Sequence, residues 1–161
     1  MYKQIKLHAR LNKIADFIER GSAVADIGTD HGFLPVYLAQ NGLARHIIAS
    51  DISAGSLSAA RRSAGKYEVS DKIKFVTAPG LSGISEAEVD TVVISGLGGE
   101  TIIGILKDAP WTRRQGTRLI LQPQTKKDIL CEWLRENGYF IRCSEQVFER
   151  GRFYTVILAN G

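Results

Sequence analysis

Asp26-Ile27-Gly28-Thr29-Asp30-His31-Gly32, entered from the apolar run Ala23-Val24-Ala25 and left through Phe33-Leu34-Pro35, reads as a strand that breaks on glycine and restarts as a helix. Gly28 lets backbone approach a ligand with no side chain in the way, and the helix that follows offers free N–H groups at its start. The spacing is not G-x-G-x-x-G, so the stretch lacks the dinucleotide fingerprint. Its carboxylates would also repel a pyrophosphate. Asp26 or Asp30 would instead welcome a cationic amine or sulfonium. Taken alone, the stretch reads equally as a tight strand–helix turn with capping aspartates.

Outward from this point the chain alternates strand-like and helix-like segments. Upstream, Leu7, Leu11, Ile14 and Ile18 recur at helical spacing and Gly21 stops them, which predicts a short N-terminal helix over about residues 5–20. Downstream, Pro35 fits the first turn of a helix ending at Asn41-Gly42. His46 to Ala49 is a buried-type strand closed by Ser50-Asp51. Ser53 can cap a helix that turns Leu57, Ala60, Ala64 and Tyr67 inward. Ile73–Thr77, Val89–Ser95 and Thr117–Gln122 read as strands, Gly99–Lys107 as a helix. Thr125 and Asp128 resemble a capping box before a helix with Ile129, Leu130, Trp133 and Leu134 on one face, ended by Gly138. Two last strands, near Tyr139–Phe148 and Phe153–Leu158, meet at Arg150-Gly151 as an antiparallel hairpin. The pattern predicts one α/β domain over 1–161: a Rossmann-like sheet, mostly parallel, with an antiparallel C-terminal hairpin strand and helices on both faces.

The whole-chain numbers suit that reading. The 161 residues fit one domain, with 44% hydrophobic and 24% charged. The first residues lack the apolar stretch of a signal peptide and no run is long enough to span a membrane, so a cytoplasmic protein is expected. Cys131 and Cys143 read as reduced thiols, and the scattered His8, His31 and His46 point to no metal. The net charge of +4 permits an anionic partner such as RNA. The oligomeric state is left open, and a monomer would suffice.

In open α/β sheets, ligands sit at the carboxyl ends of the strands. Asp51 lies at such an end, 23 positions after Gly28, where a carboxylate can accept from both hydroxyls of a ribose; it also reads as a partner for the next helix's N-terminus. Ser95-Gly96-Leu97-Gly98-Gly99 leaves room for a flat ring or a reactive group, or is a flexible turn. Gln122-Pro123-Gln124 puts two amides on the same rim. An acidic turn, a ribose-type carboxylate and an open fourth-strand rim describe a site for S-adenosylmethionine. Trp111 with Arg113 and Arg114 mixes an aromatic with positive charge, which suits RNA contact as well as a plain loop.

These residues resemble the bacterial tRNA (adenine-22-N-1)-methyltransferases, of the class I methyltransferase fold. The matching stretches are Leu7-His8-Ala9-Arg10-Leu11, Ala25 to His31, Leu34-Pro35, Ala49-Ser50-Asp51-Ile52, Ser95 to Gly99, and Leu119-Ile120-Leu121-Gln122-Pro123. The resemblance implies methyl transfer from S-adenosylmethionine to N-1 of adenine 22 in tRNA. It implies cofactor contacts from Asp26, Gly28, Thr29, Asp30, Asp51, Ile52, Gly80, Leu81, Ser95 and Gly96. It implies substrate contacts from Arg10, His31, Leu97, Gly98, Gly99, Pro123 and Gln124. Ala78-Pro79-Gly80-Leu81 replaces the family's Gly-Asp-Gly-Leu, Gln124 stands for an asparagine, and His8 for a serine. The family carries a further helical C-terminal segment that this chain, ending at Gly161, lacks, so weaker RNA binding is expected.

N-1 of adenine carries an in-plane lone pair and needs no strong base, which leaves positioning and exclusion of water to the protein. The base must be exposed, by flipping, to offer its Watson–Crick edge. Asp30 and Gln122 are the candidate groups to offset the product's positive charge, and His31 reads as a packing residue. Three rivals stand beside this reading: an NAD-type oxidoreductase, which the missing glycine fingerprint disfavours; a methyltransferase for another RNA or a small molecule; and a non-catalytic SAM- or RNA-binding module on a degenerate methyltransferase fold.

Overall fold

The computed structural model describes residues 3–161. Seven strands form one sheet: β1 (Ser22–Ile27), β2 (Ala44–Asp51), β3 (Lys74–Thr77), β4 (Thr91–Leu97), β5 (Arg118–Pro123), β6 (Phe140–Glu149) and β7 (Arg152–Asn160). Their order is β3-β2-β1-β4-β5-β7-β6. The pairs among β1 to β5 are parallel, and β7 runs antiparallel to both β5 and β6. The predicted sheet, its hairpin and its single reversed strand are therefore all present. The strand order reverses between β1 and β4, which opens the crevice where such sheets take their ligands.

Strand periodicity divides the core in two. Ala25, Ile27, Val92, Ile94, Leu119 and Leu121 point to one face, beneath α4 (Gly99–Lys107) and α5 (Lys127–Glu136). Val24, Ile47, Ala49, Val93, Ile120 and Val156 point to the other, beneath α1 (Ala9–Asp16), α2 (Phe33–Gln40) and α3 (Ala54–Lys66). All six residues of β1 are buried, as a central parallel strand covered on both sides requires.

Local chemistry sets the ends of the helices. Ser53 caps α3 as expected, its hydroxyl accepting from the Ser56 N–H at 3.2 Å. The N-terminal helix expected over 5–20 is shorter, Ala9–Asp16, because the Ile5 N–H donates to Gln40 Oε1 at 2.9 Å and holds the entering chain extended. No capping box forms before α5. Lys126 occupies the cap in a left-handed conformation (φ 55°) and neither Thr125 nor Asp128 closes it with a side chain. Leu130 and Leu134 of that helix are fully buried, but Ile129 stands 46% exposed, outside the predicted face.

Leu130 joins α5 to the sheet through the larger core cluster. Leu130→Ala is expected to lower the unfolding free energy by about 2–5 kcal/mol, measured by urea denaturation.

Candidate active site

One cavity of about 820 Å³ opens along the carboxyl ends of β1 to β4. Its size suits a nucleoside-sized ligand. The β1 turn supplies Asp26, Gly28, Thr29 and Asp30, the end of β2 supplies Asp51 and Ile52, the loop after β3 supplies Ala78, Pro79 and Gly80, and β4 supplies Ser95, Gly96 and Leu97.

The β1 turn is shaped by its backbone. The N–H groups of Gly28 and Thr29 both donate to Ser50 O at 2.9 Å, which pins the turn to β2. Gly28 has φ 71°, a left-handed value that favours glycine. Asp30 also lies in that region, at φ 54°, and its N–H donates to Asp51 Oδ2 at 3.0 Å. Asp51 Oδ1 accepts from the Ser53 N–H at 2.9 Å. Each of these carboxylate oxygens keeps a lone pair for a further donor.

Asp26 is the most perturbed acid of the site. Burial pushes its carboxyl up to about 7, the nearby Asp51 adds to the rise, and the Thr29 hydroxyl (2.9 Å to Oδ2) and the Arg10 charge oppose it. A carboxyl so placed gains from a cationic ligand. Ile52, 72% exposed, and Pro79 offer apolar surface for a flat ring.

The opposite wall comes from distant parts of the chain. Arg10 at the start of α1 donates through Nη1 to Gln122 Oε1 (2.9 Å) and Ser95 Oγ (3.4 Å), and its N–H donates to Glu149 Oε1 (2.9 Å). Glu149 and Arg150, at the end of the β6–β7 hairpin, line the cavity with His8, Leu11, Phe33 and Leu34. Of these the Arg10 stretch and Leu34 carry a sequence signal; the hairpin residues carry a turn signal and nothing more. His31 and Gln124 line the cavity too, with His31 stacked on Phe33 at 5.4 Å between centroids.

Several expected site residues lie elsewhere. Gln122 is fully buried and outside the cavity wall. Its Oε1 also accepts from the Gly96 N–H (3.1 Å), and its Nε2 donates to Pro123 O (3.1 Å) and Gln124 Oε1 (3.0 Å). It therefore holds Arg10, the Gly96 N–H and Gln124 in place. Pro123, Gly98 and Gly99 are likewise absent from the wall. Gly99 is required by packing, since a Cβ there would sit 2.6 Å from Lys126 O. Leu81 is 4% exposed and belongs to the core. Arg113 and Arg114 sit at the opposite edge of the sheet, in the 3-10 turn (Pro110–Arg113) and the residue after it, before β5; Arg114 pairs with Glu86 at 3.5 Å. No group of three or more potential metal ligands occurs among the described residues.

A reversed-strand sheet of this order, with its acidic crevice at the switch point, defines a Rossmann-like methyltransferase domain, and the family model "Methyltransferase domain" matches residues 7–157. The tRNA (adenine(22)-N(1))-methyltransferase of Bacillus subtilis is 34% identical over 98% of this chain, which spans 66% of that protein's length. The crystal structure of that organism's M1A22 tRNA methyltransferase superposes with a TM-score of 0.92, covering 98% of this chain and 68% of its own. A Streptococcus pneumoniae putative tRNA (m1A22) methyltransferase, solved in complex with S-adenosyl-L-methionine, is 30% identical, with a TM-score of 0.87 over 94% of this chain and 72% of its own. The chain belongs to the family of bacterial tRNA (adenine(22)-N(1))-methyltransferases.

Two outcomes follow from this geometry. Asp26 holds a proton in the folded state between about pH 4 and 7 that the unfolded chain has released, so folding stability falls as pH rises through that window, by up to about 1.4 kcal/mol per unit. Asp26→Asn should remove that slope in urea melts at pH 4.5 to 7. Gly99→Ala should cost about 1–3 kcal/mol through overpacking while leaving ligand affinity at the cavity unchanged by calorimetry.

Proposed function

We propose that this chain transfers a methyl group from S-adenosylmethionine to N-1 of adenine 22 in tRNA, in the cytoplasm. The observation that carries the reading is the pair of carboxyl groups, Asp26 and Asp51, at the ends of adjacent strands in the wall of one cavity. The residues present fit that cofactor. Asp26 and Thr29 suit the methionine end, where a cation offsets the buried carboxyl. Asp51 retains acceptor capacity for ribose hydroxyls, and Ile52, Pro79 and Gly80 suit the adenine. With no carboxylate in Ala78-Pro79, ring binding rests on apolar contact.

When bound, the cofactor supplies an electrophilic sulfonium methyl group. The chain's own residues have no proton to remove before N-1 attacks. Their work is to hold the base in line and to exclude water. Ser95, Gly96 and Leu97 border the place the base must reach, with Gln124 beside them. Asp30, whose side chain is 71% exposed at the rim, offsets the positive charge that N-methylation creates. Arg10, tied to Glu149 and Gln122, shapes the wall facing it. An adenine reaching this depth must leave its helix. No helix among the described residues is long and apolar enough to cross a membrane.

Incubation of unmodified tRNA with the protein and S-adenosylmethionine is expected to produce 1-methyladenosine at position 22, read by nuclease digestion and mass spectrometry. Asp51→Ala should weaken cofactor binding about 10- to 100-fold in calorimetry, the loss of charge-assisted hydrogen bonds. Methylation at another position would redirect the substrate assignment. No cofactor binding by folded wild type would support the non-catalytic module.

A further inference from the structure

The β6–β7 hairpin outruns the sheet it belongs to. The pairing of β5 with β7 ends at Leu121↔Ile157, but β6 and β7 stay in register for five further pairs, from Glu145↔Val156 to Glu149↔Arg152. This arm extends roughly 15 Å beyond the last β5 pair. One of its faces is braced by α1: Lys13 Nζ lies 2.7 Å from Glu145 Oε2, the Arg10 N–H donates to Glu149, and Val147 is buried. The other face carries Phe148 and Phe153, a registered pair 58% and 70% exposed, with ring centroids 5.1 Å apart and planes tilted by 56°.

Two arginines crown the arm. Arg150 and Gly151 form the turn, both with positive φ (49° and 77°), a conformation for which asparagine or glycine is the usual choice at both positions. The turn nonetheless places an arginine where its side chain lines the cavity. Arg152 follows, exposed, and as the registered partner of Glu149 it leaves the ribbon on the face opposite the rings. An open aromatic face on a ribbon whose tip carries guanidinium groups is the chemistry that takes unstacked bases and their phosphates.

We propose that this arm docks the substrate RNA: Phe148 and Phe153 stack unpaired bases next to the target nucleotide, while Arg150 and Arg152 meet the backbone. The inference rests on the RNA substrate assigned above. Its occupant is argued from continuity with the cavity, through Glu149 and Arg150, and from charge complementarity at the tip.

The test is direct titration of fluorescent unmodified tRNA, which reads binding without turnover. Phe148→Ala with Phe153→Ala is expected to weaken tRNA binding about 10-fold or more, with the affinity for S-adenosylmethionine and the melting temperature unchanged. Phe148→Tyr with Phe153→Tyr, which keeps ring faces, should retain wild-type affinity. Arg152→Ala should lower the slope of log affinity against log salt by about one. Wild-type tRNA affinity in the double alanine variant overturns the proposal, as does failure of the wild type to bind tRNA. So does a wild-type dimer that the alanine variant converts to monomer with no loss of tRNA affinity, which assigns the rings to a second copy. Arm-dependent tRNA binding without 1-methyladenosine would leave the arm standing and overturn the methyl-transfer reading instead.

Discussion

The Arg10 guanidinium holds together three segments that the chain order keeps far apart. It reaches Gln122 at the end of β5 and Ser95 at the end of β4, while its own backbone is fastened to Glu149 on the hairpin. Without that cation, Gln122 would lose one of the two donors to its buried oxygen, and Glu149 its nearest positive charge. Half-buried hydrogen-bonded charges of this kind contribute through geometry as much as through energy. The wall facing the acidic turn exists because α1, the glycine rim and the hairpin all converge on one side chain.

The same cation tempers the acids across the cavity. Asp26 is pushed up by burial and by Asp51, and Arg10 and the Thr29 hydroxyl resist that push. Asp26 is thus poised between its neutral and anionic forms near neutral pH. A ligand bringing its own positive charge is favoured twice, by direct attraction and by relieving a carboxyl held away from water.

How far the sequence could be read depended on the range of the interactions involved. The strands were legible because parallel strands covered on both faces are continuous apolar runs, and the acidic turn because glycine and aspartate stand at a strand end. The acidic wall of the cavity, Asp26 to Asp30 with Asp51 and Ile52, lies within such local signals. The opposite wall depends on a contact between Arg10 and Glu149, 139 positions apart, which no local pattern encodes. Gln122 lies off the cavity wall because its burial, invisible in sequence, turns it inward although its spacing places it on the rim. Arg113 and Arg114 lie away from the cavity for a topological reason: the loop before a parallel strand lies at the edge opposite the carboxyl ends. The late start of α1 follows from one hydrogen bond of Ile5 to Gln40, again a long-range partner.

The arm beyond the sheet has a thermodynamic character of its own. A two-stranded ribbon without a third strand is marginal in water, and this one is anchored by α1 and by Val147 and Val156, which belong to the core beneath α1 to α3. Because Glu149 and Arg150 are part of the cavity wall, the shape of the cavity depends on how the arm is seated against α1.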